Sequence, residues 1–149
     1  MANDDYSIGV EILSSIDAMM KELNAPISEC MRTPVTVTPT ESASSLLASM
    51  IVQDIGAIIV AEKGTPLGII TEKDVLERVI MKNKDMFTTT ANDIMSKPLV
   101  TIESNRPTKE AIDLMRKHNI RRLAVTANGA LIGLVTERRL SVKFLNQIM

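Results

Sequence analysis

At 149 residues the chain suits one compact domain or two small halves that share a core. Apolar residues make up 45% and charged residues 23%, which excludes a disordered, charge-dominated chain. The net charge of −1 is unevenly spread, with 7 basic and 13 acidic side chains in residues 1–90 against 10 and 5 in residues 91–149. The C-terminal part therefore suits an anion, or the opposite charge of the N-terminal part or of a second copy. Tyr6, Phe87 and Phe144 are the only aromatic residues, so there is no row of platforms for stacking single-stranded bases. The single Cys30 excludes an internal disulfide and a cysteine metal cluster. His118, the one histidine, has no cysteine or histidine neighbour to make a metal site. The acidic start MANDDYSIG has no apolar signal core, and the longest apolar run, near Ile55 to Ala61, is far short of the roughly 20 residues of a membrane span. The expectation is a soluble, cytoplasmic protein that needs no metal or cofactor.

In chain order, residues 7–23 predict a leading helix with Ile12, Ile16, Met19 or Met20, and Leu23 on one side. An extended piece, PVTVTP (34–39), precedes a helix carrying Ala43, Leu46, Leu47, Met50 and Ile51. A strand, GAIIVA (56–61), turns at Lys63-Gly64 into a second strand, PLGII (66–70), and a closing helix begins at Thr71. KNKDMFTTTA (82–91) holds the linker. The plan then repeats as PLVTIE (98–103), a helix with Pro107 in its first turn and Ala111, Ile112, Leu114 and Met115 on its apolar face, RRLAVT (121–126), a hairpin turn at Asn128-Gly129, ALIGLV (130–135), and a helix from Thr136. The order is β-α-β-β-α, twice. The ten methionines are expected mostly as core fillers.

The repeat is visible residue by residue. Met50, Ile55, Val60, Gly64, Gly68, Thr71 and Glu72 recur 65 positions later as Met115, Ile120, Val125, Gly129, Gly133, Thr136 and Glu137. Upstream, Met31-x-x-Pro34 recurs as Met95-x-x-Pro98. Within the closing turns the copies reverse one charge, where Asp74 of GIITEKD is matched by Arg139 of GLVTERR. Thr71-x-x-Asp74 reads first as a capping box, which satisfies free amides at a helix start and needs no ligand. A functional reading adds to it: Gly68 permits close approach to the backbone, the helix start offers amide donors to a phosphate, and Asp74 is able to accept bonds from both hydroxyls of a ribose. Arg139 removes that acceptor from the second copy. Arg121, Arg122, Arg138 and Arg139 are expected to bring several guanidinium groups together, and only one of the strand neighbours Arg121 and Arg122 need face the cleft.

Tandem β-α-β-β-α units, M-x-x-P openings and a G-h-h-T-x-x-D turn resemble a pair of cystathionine-β-synthase (CBS) domains, the Bateman module, over about residues 27–146. The resemblance implies an α+β fold of two interlocked units related by a pseudo-twofold axis, with a cleft between them: an N-terminal helix (1–26), a first unit (27–82), a linker (83–90) and a second unit (91–149). It implies a stand-alone regulatory module, not an enzyme, that binds AMP, ADP, ATP or S-adenosylmethionine and relays occupancy to a regulated protein. Thr71 and Asp74 would contact ribose and phosphate, and Val35, Thr36, Leu99 and Val100 would lie against adenine. Gly68 and Thr136 complete the expected ligand-binding set with Arg121, Arg122, Arg138 and Arg139. The Arg-bearing site either prefers a phosphate-rich anion or clamps phosphate for the Asp-bearing site. A homodimer is implied, packed through the apolar faces around Leu46 to Ile51 and Ala111 to Met115. The rival readings are a ligand-free homodimeric interaction module and, behind it, nucleic-acid binding through residues 91–149. No Walker loop provides for nucleotide hydrolysis, and no membrane partner is expected.

Overall fold

The computed structural model describes the backbone of residues 2–148 and the side-chain surroundings of residues 7–147. The expected outer limits of the organisation, Met1 and Met149, lie outside the described residues. The leading helix α1 (Ala2–Asn24) precedes two copies of one element order. The first copy is β1 (Thr36–Val37), α2 (Ala43–Gln53), β2 (Ala57–Glu62), β3 (Thr65–Thr71) and α3 (Glu72–Val75), which continues as a π-helical turn, Leu76–Ile80. A one-turn helix α4 (Ala91–Ile94) leads into the second copy: β4 (Thr101–Glu103), α5 (Thr108–His118), β5 (Arg122–Ala127), β6 (Ala130–Thr136) and α6 (Glu137–Ile148). Each copy forms its own three-stranded sheet, β1-β2-β3 or β4-β5-β6, with a parallel pair followed by an antiparallel pair. The fold is α+β, as the repeat implies.

The hairpins follow from local chemistry. Lys63 and Gly64 have φ of 52° and 80°, and Asn128 and Gly129 have 52° and 83°. Two consecutive left-handed residues are what a type I′ turn requires, and its twist matches that of the strands it joins. Register repeats too. Val60 stands opposite Gly68 as Val125 stands opposite Gly133, and each ladder slips immediately afterwards. Pro107 is the cap residue immediately before α5 and not part of its first turn; it is extended, with ψ of 147°.

The strands read as unbroken apolar runs because both faces are covered. On one side Ile58, Val60 and Ile70 pack with Leu46, Met50, Val75 and Val79 of the helices. On the other, Ile59 meets Ala124 and Leu134 of the opposite sheet, with Ile69, Leu99 and Leu131 around them. This small third cluster joins the two units.

The opening segments cross over. Ile27 N–H donates to Arg106 O at 2.8 Å and Ser28 N–H to Ser104 O at 3.0 Å, and Ile27 and Cys30 are buried in the core of the second unit. Conversely, Ala91, Ile94 and Met95 are buried in the core of the first unit, where Ser96 and Ile69 exchange backbone hydrogen bonds of 2.9 and 3.1 Å. Each M-x-x-P segment thus closes the sheet of the other copy. The glycines permit it: a Cβ on Gly68 would stand 2.7 Å from Met95 Sδ and 2.9 Å from Ser96 O, and one on Gly133 would meet Met31 Cβ at 3.0 Å.

Among the described residues of α1, those that pack lie in its C-terminal half. Ser15, Ala18, Met19, Glu22 and Leu23 form its half-buried side toward α5 and α6, while Ile12, Ile16 and Met20 of the expected apolar side are exposed. Lys143 of α6 ties the contact, with Nζ 3.1 Å from Glu22 Oε2 and 3.4 Å from Cys30 Sγ. The expectation for methionine is met only in part. Met50, Met95 and Met115 are buried, whereas Met20 and Met81 lie at the surface, on the outer side of α1 and just past the π turn. No described helix is long and apolar enough to cross a membrane.

Candidate functional site

At the end of β3, Thr71 is extended and caps α3. Its N–H and Oγ1 donate to Asp74 Oδ2 at 2.9 and 3.1 Å, and Asp74 N–H returns a 3.4 Å bond to Thr71 Oγ1. The capping box is therefore present, but Asp74 does more than cap. Its other oxygen, Oδ1, accepts from Ser96 Oγ at 3.2 Å and lies 3.7 Å from the Arg78 guanidinium one helical turn on. Ser96 belongs to the opening segment of the second copy, so this carboxylate joins the two repeats. Asp74 is buried, at 8% exposure.

A second capping box provides an internal contrast. Thr90 N–H and Oγ1 donate to Asp93 Oδ2 at 2.9 and 3.0 Å, nearly the same geometry, but at the surface. The hydrogen bond from the Thr90 backbone, then that from its hydroxyl, hold the Asp93 carboxyl below its usual range, with help from Lys84 against slight desolvation. Asp93 lines none of the three cavities described below.

Beside Asp74 lies a cavity of about 750 Å³. Its first-unit wall is Gly56, Ile69 and Thr71 to Asp74, its floor is Ser96 and Pro98 to Val100, and its second-unit wall is Asn119 to Arg122. Ile69, Leu99, Val100 and Ile120 make one side apolar, while Asp74, Glu72, Lys73, Arg121 and Arg122 make the other charged. Both members of the Arg121–Arg122 pair reach the cavity, although strand alternation requires only one. Arg122 extends toward the space left by Gly56, where its Nη2 and Glu72 Oε1 would each be 3.5 Å from an added Cβ. A smaller recess of about 270 Å³ adjoins, lined by the same Arg121 and Arg122 with Thr136, Glu137, Arg138 and Ser141. A third groove, of about 530 Å³, runs between α5 and α6 over Ile112, Met115, Leu140 and Phe144.

Of the expected ligand-binding residues, Thr71, Asp74, Leu99, Val100, Arg121 and Arg122 come together in the large cavity. Thr136 and Arg138 stand in the adjoining recess. Val35, Thr36, Gly68 and Arg139 line neither. Val35 packs against the first core and its carbonyl accepts from Ile59 N–H at 2.9 Å. Thr36 is paired with Ile59 in the parallel ladder. The close approach that Gly68 allows is made by Met95 and Ser96, so its place in the expected site is corrected: its small size serves packing within the protein. Arg139 is exposed, and its N–H donates to Thr136 Oγ1 at 3.1 Å, so Thr136 caps α6 without an acidic partner. Sequence reasoning missed Ser96, which sits inside the Met95-x-x-Pro98 motif, and Lys73, which follows Glu72 in the turn. Its i,i+4 spacing from Asp74 could have flagged Arg78. Among the described residues, no three His, Cys, Asp or Glu side chains gather in a group able to hold a metal ion.

The profile of the CBS domain family matches residues 27–80 and 91–145. A protein of Methanopyrus kandleri is 40% identical over 107 residues, which are 70% of this chain and 55% of that protein's length. The CBS domain-containing protein YhcV of Bacillus subtilis is 32% identical over 117 residues, covering 78% of this chain and 83% of its own. Among solved structures, a CBS domain protein of Pyrobaculum aerophilum complexed with AMP shares the fold, with a TM-score of 0.70 at 23% identity over 81% of this chain and 98% of that one.

Proposed function

Because the chain belongs to the CBS-domain family, as two domains in tandem, we propose that it is a regulatory module that binds an adenine nucleotide in the cavity beside Asp74. The observation that carries this reading is the meeting of a buried carboxylate, Asp74, with the Arg121 and Arg122 guanidiniums across one cavity of about 750 Å³. That volume lies in the ordinary range for a small-molecule site, and its lining divides into an apolar side for a base and a charged side for ribose and phosphate. Adenine lies against Leu99, Val100 and Ile69. Asp74 Oδ1, which accepts from Ser96 and lies near Arg78, takes a ribose hydroxyl in exchange for the Ser96 bond. The phosphate lies toward Arg121 and Arg122, whose planar forks suit it. The AMP complex of the Pyrobaculum relative supports an adenine nucleotide as the ligand class.

Regulation would work through the crossing segments. A hydroxyl on Asp74 competes with Ser96, and Ser96 is part of the strap that closes the first sheet. Occupancy then changes how the second copy's opening segment seats on the first unit, and a partner protein reads the change. The ligand shifts that balance only by the difference in its affinity for the two placements. Thermal melting with AMP, ADP, ATP and S-adenosylmethionine tests the reading, since a ligand of the folded state raises its stability. Stabilisation by an adenine nucleotide that Asp74→Asn abolishes supports it.

A second reading, an interaction module, has its own observation. Ile51, Val52, Leu76, Ile80 and Met81 of the first unit's helical side are exposed, as are Ile8, Ile12, Leu13 and Ile16 of α1. Large apolar patches of this kind commonly mark contacts between chains. The mass of the protein in solution tests it, with a dimer as the expected outcome.

A further inference from the structure

The two cavities that share Arg121 and Arg122 differ in volume and in the charge of their linings. We infer that the module holds one nucleoside polyphosphate per chain, its ribose at Asp74 and its terminal phosphates in the recess of Arg138, so that di- and triphosphates bind more tightly than the monophosphate. The inference rests on the adenine-nucleotide reading of the Asp74 cavity.

Three observations carry it. The first is adjacency: Arg121 and Arg122 line both spaces, so phosphates held by these two side chains at the edge of the Asp74 cavity stand beside the recess. The second is the change of charge along that path. Glu72 and Asp74 stand against Lys73, Arg121 and Arg122 in the cavity, whereas the recess sets Glu137 alone against Arg121, Arg122 and Arg138. Glu137 is 3.9 Å from Arg121, and both are largely exposed, so that pair is weak. Among the described residues, no carboxylate pairs with Arg122 or Arg138. Two guanidinium groups without carboxylate partners lining one recess suit an anion with several oxygens to share.

The third observation is what the recess lacks. Its residues are the repeat partners of those around Asp74: Thr136 matches Thr71, Glu137 matches Glu72 and Arg138 matches Lys73. At the matching position, however, the ribose acceptor is replaced by Arg139, which lines neither space. Ser96, the neighbour of Asp74, is matched by Arg32. The recess, about a third of the larger cavity's volume, retains threonine and arginine but has no carboxylate at that place for a second ribose. It is a phosphate subsite of the first site and not a second nucleoside site.

Calorimetric titration of the full chain with AMP, ADP and ATP, with Arg138→Ala and Arg138→Glu as variants, decides the matter. Arg138 is exposed, so both variants are expected to fold. The expected result is one nucleotide per chain, with ATP about tenfold tighter than AMP, the scale of one added charge-assisted bond. Arg138→Ala should bring ATP to within about twofold of AMP while leaving AMP unchanged, and Arg138→Glu should reverse the order. Equal affinity for the three nucleotides, two nucleotides per chain, or equal loss of AMP and ATP in Arg138→Ala would overturn the inference while the Asp74 reading stands. Failure of every nucleotide to bind would overturn both.

Discussion

Asp74 and Asp93 carry the same local motif in different surroundings, and the contrast separates capping from ligand binding. Both accept from a threonine N–H and hydroxyl at their helix start. Only Asp74 is buried, bonded to Ser96 and open to a cavity. Asp74→Asn should therefore destabilise the fold by about 1 kcal/mol, as loss of a cap does, and should also remove nucleotide stabilisation. Asp93→Asn should leave the nucleotide response intact. The bonds from Thr90 lower the Asp93 pKa in the folded state, so its contribution is present above the ordinary aspartate range and is lost as pH falls through the lowered value. Melting curves of wild type and Asp93→Asn should differ at pH 7 and converge in acid below about pH 4. At this scale the sequence was partly legible. Thr71 and Asp74 follow from spacing alone, because a helix start has free amides wherever it lies. Whether such an acid faces solvent or a cleft depends on Ser96, Leu99 and Arg122, which are brought there from distant parts of the chain.

Lengths, turns and periodicity made the elements easy to read, but not their exchange. Lys63-Gly64 and Asn128-Gly129 announce hairpins because few residues tolerate a positive φ. Nothing local says that Met95 packs on Gly68 of the other copy, or Met31 on Gly133; that contact appears only once the sheets face each other. Gly68→Ala should cost about 1–3 kcal/mol by overpacking, since Ser96 O is backbone and cannot swing aside as a methionine end can. Met95→Ala should cost about 2–5 kcal/mol, and the double variant less than the sum of the two, because the shortened side chain makes room for the added methyl. Denaturant melts of the three variants measure this coupling; strict additivity would mean that the two residues do not press on each other. The leading helix has its own tie. Burial disfavours charge on Lys143, but the hydrogen bond that it donates to Glu22 and the nearby Cys30 sulfur outweigh it, so its pKa is raised. The raised value places its contribution below the ordinary lysine pKa of roughly 10.4 and removes it as pH rises through the folded value. The stability difference between wild type and Lys143→Met should hold at neutral pH and shrink above about pH 10.

Across the whole molecule, two copies of one unit are locked by their opening segments and by the Ile59–Ala124–Leu134 junction, and their differences fall at the cleft. The first copy supplies a carboxylate, the second guanidiniums, in keeping with the acidic and basic halves of the chain. The repeat makes this architecture legible in the sequence. The placing of Val35 and Thr36 away from the Asp74 cavity was not legible, because symmetry alone assigns them and Leu99 and Val100 equal roles. The central claim is that a phosphorylated adenosine is gripped between Asp74 and the Arg121–Arg122 pair. Its most direct test is thermal unfolding of wild type and Asp74→Asn over a titration of AMP. The account predicts a melting temperature that rises with AMP in wild type, by the equivalent of about 2.7 kcal/mol at a hundred times Kd, and stays flat in Asp74→Asn. No rise in wild type at millimolar AMP, or an equal rise in the variant, would contradict it.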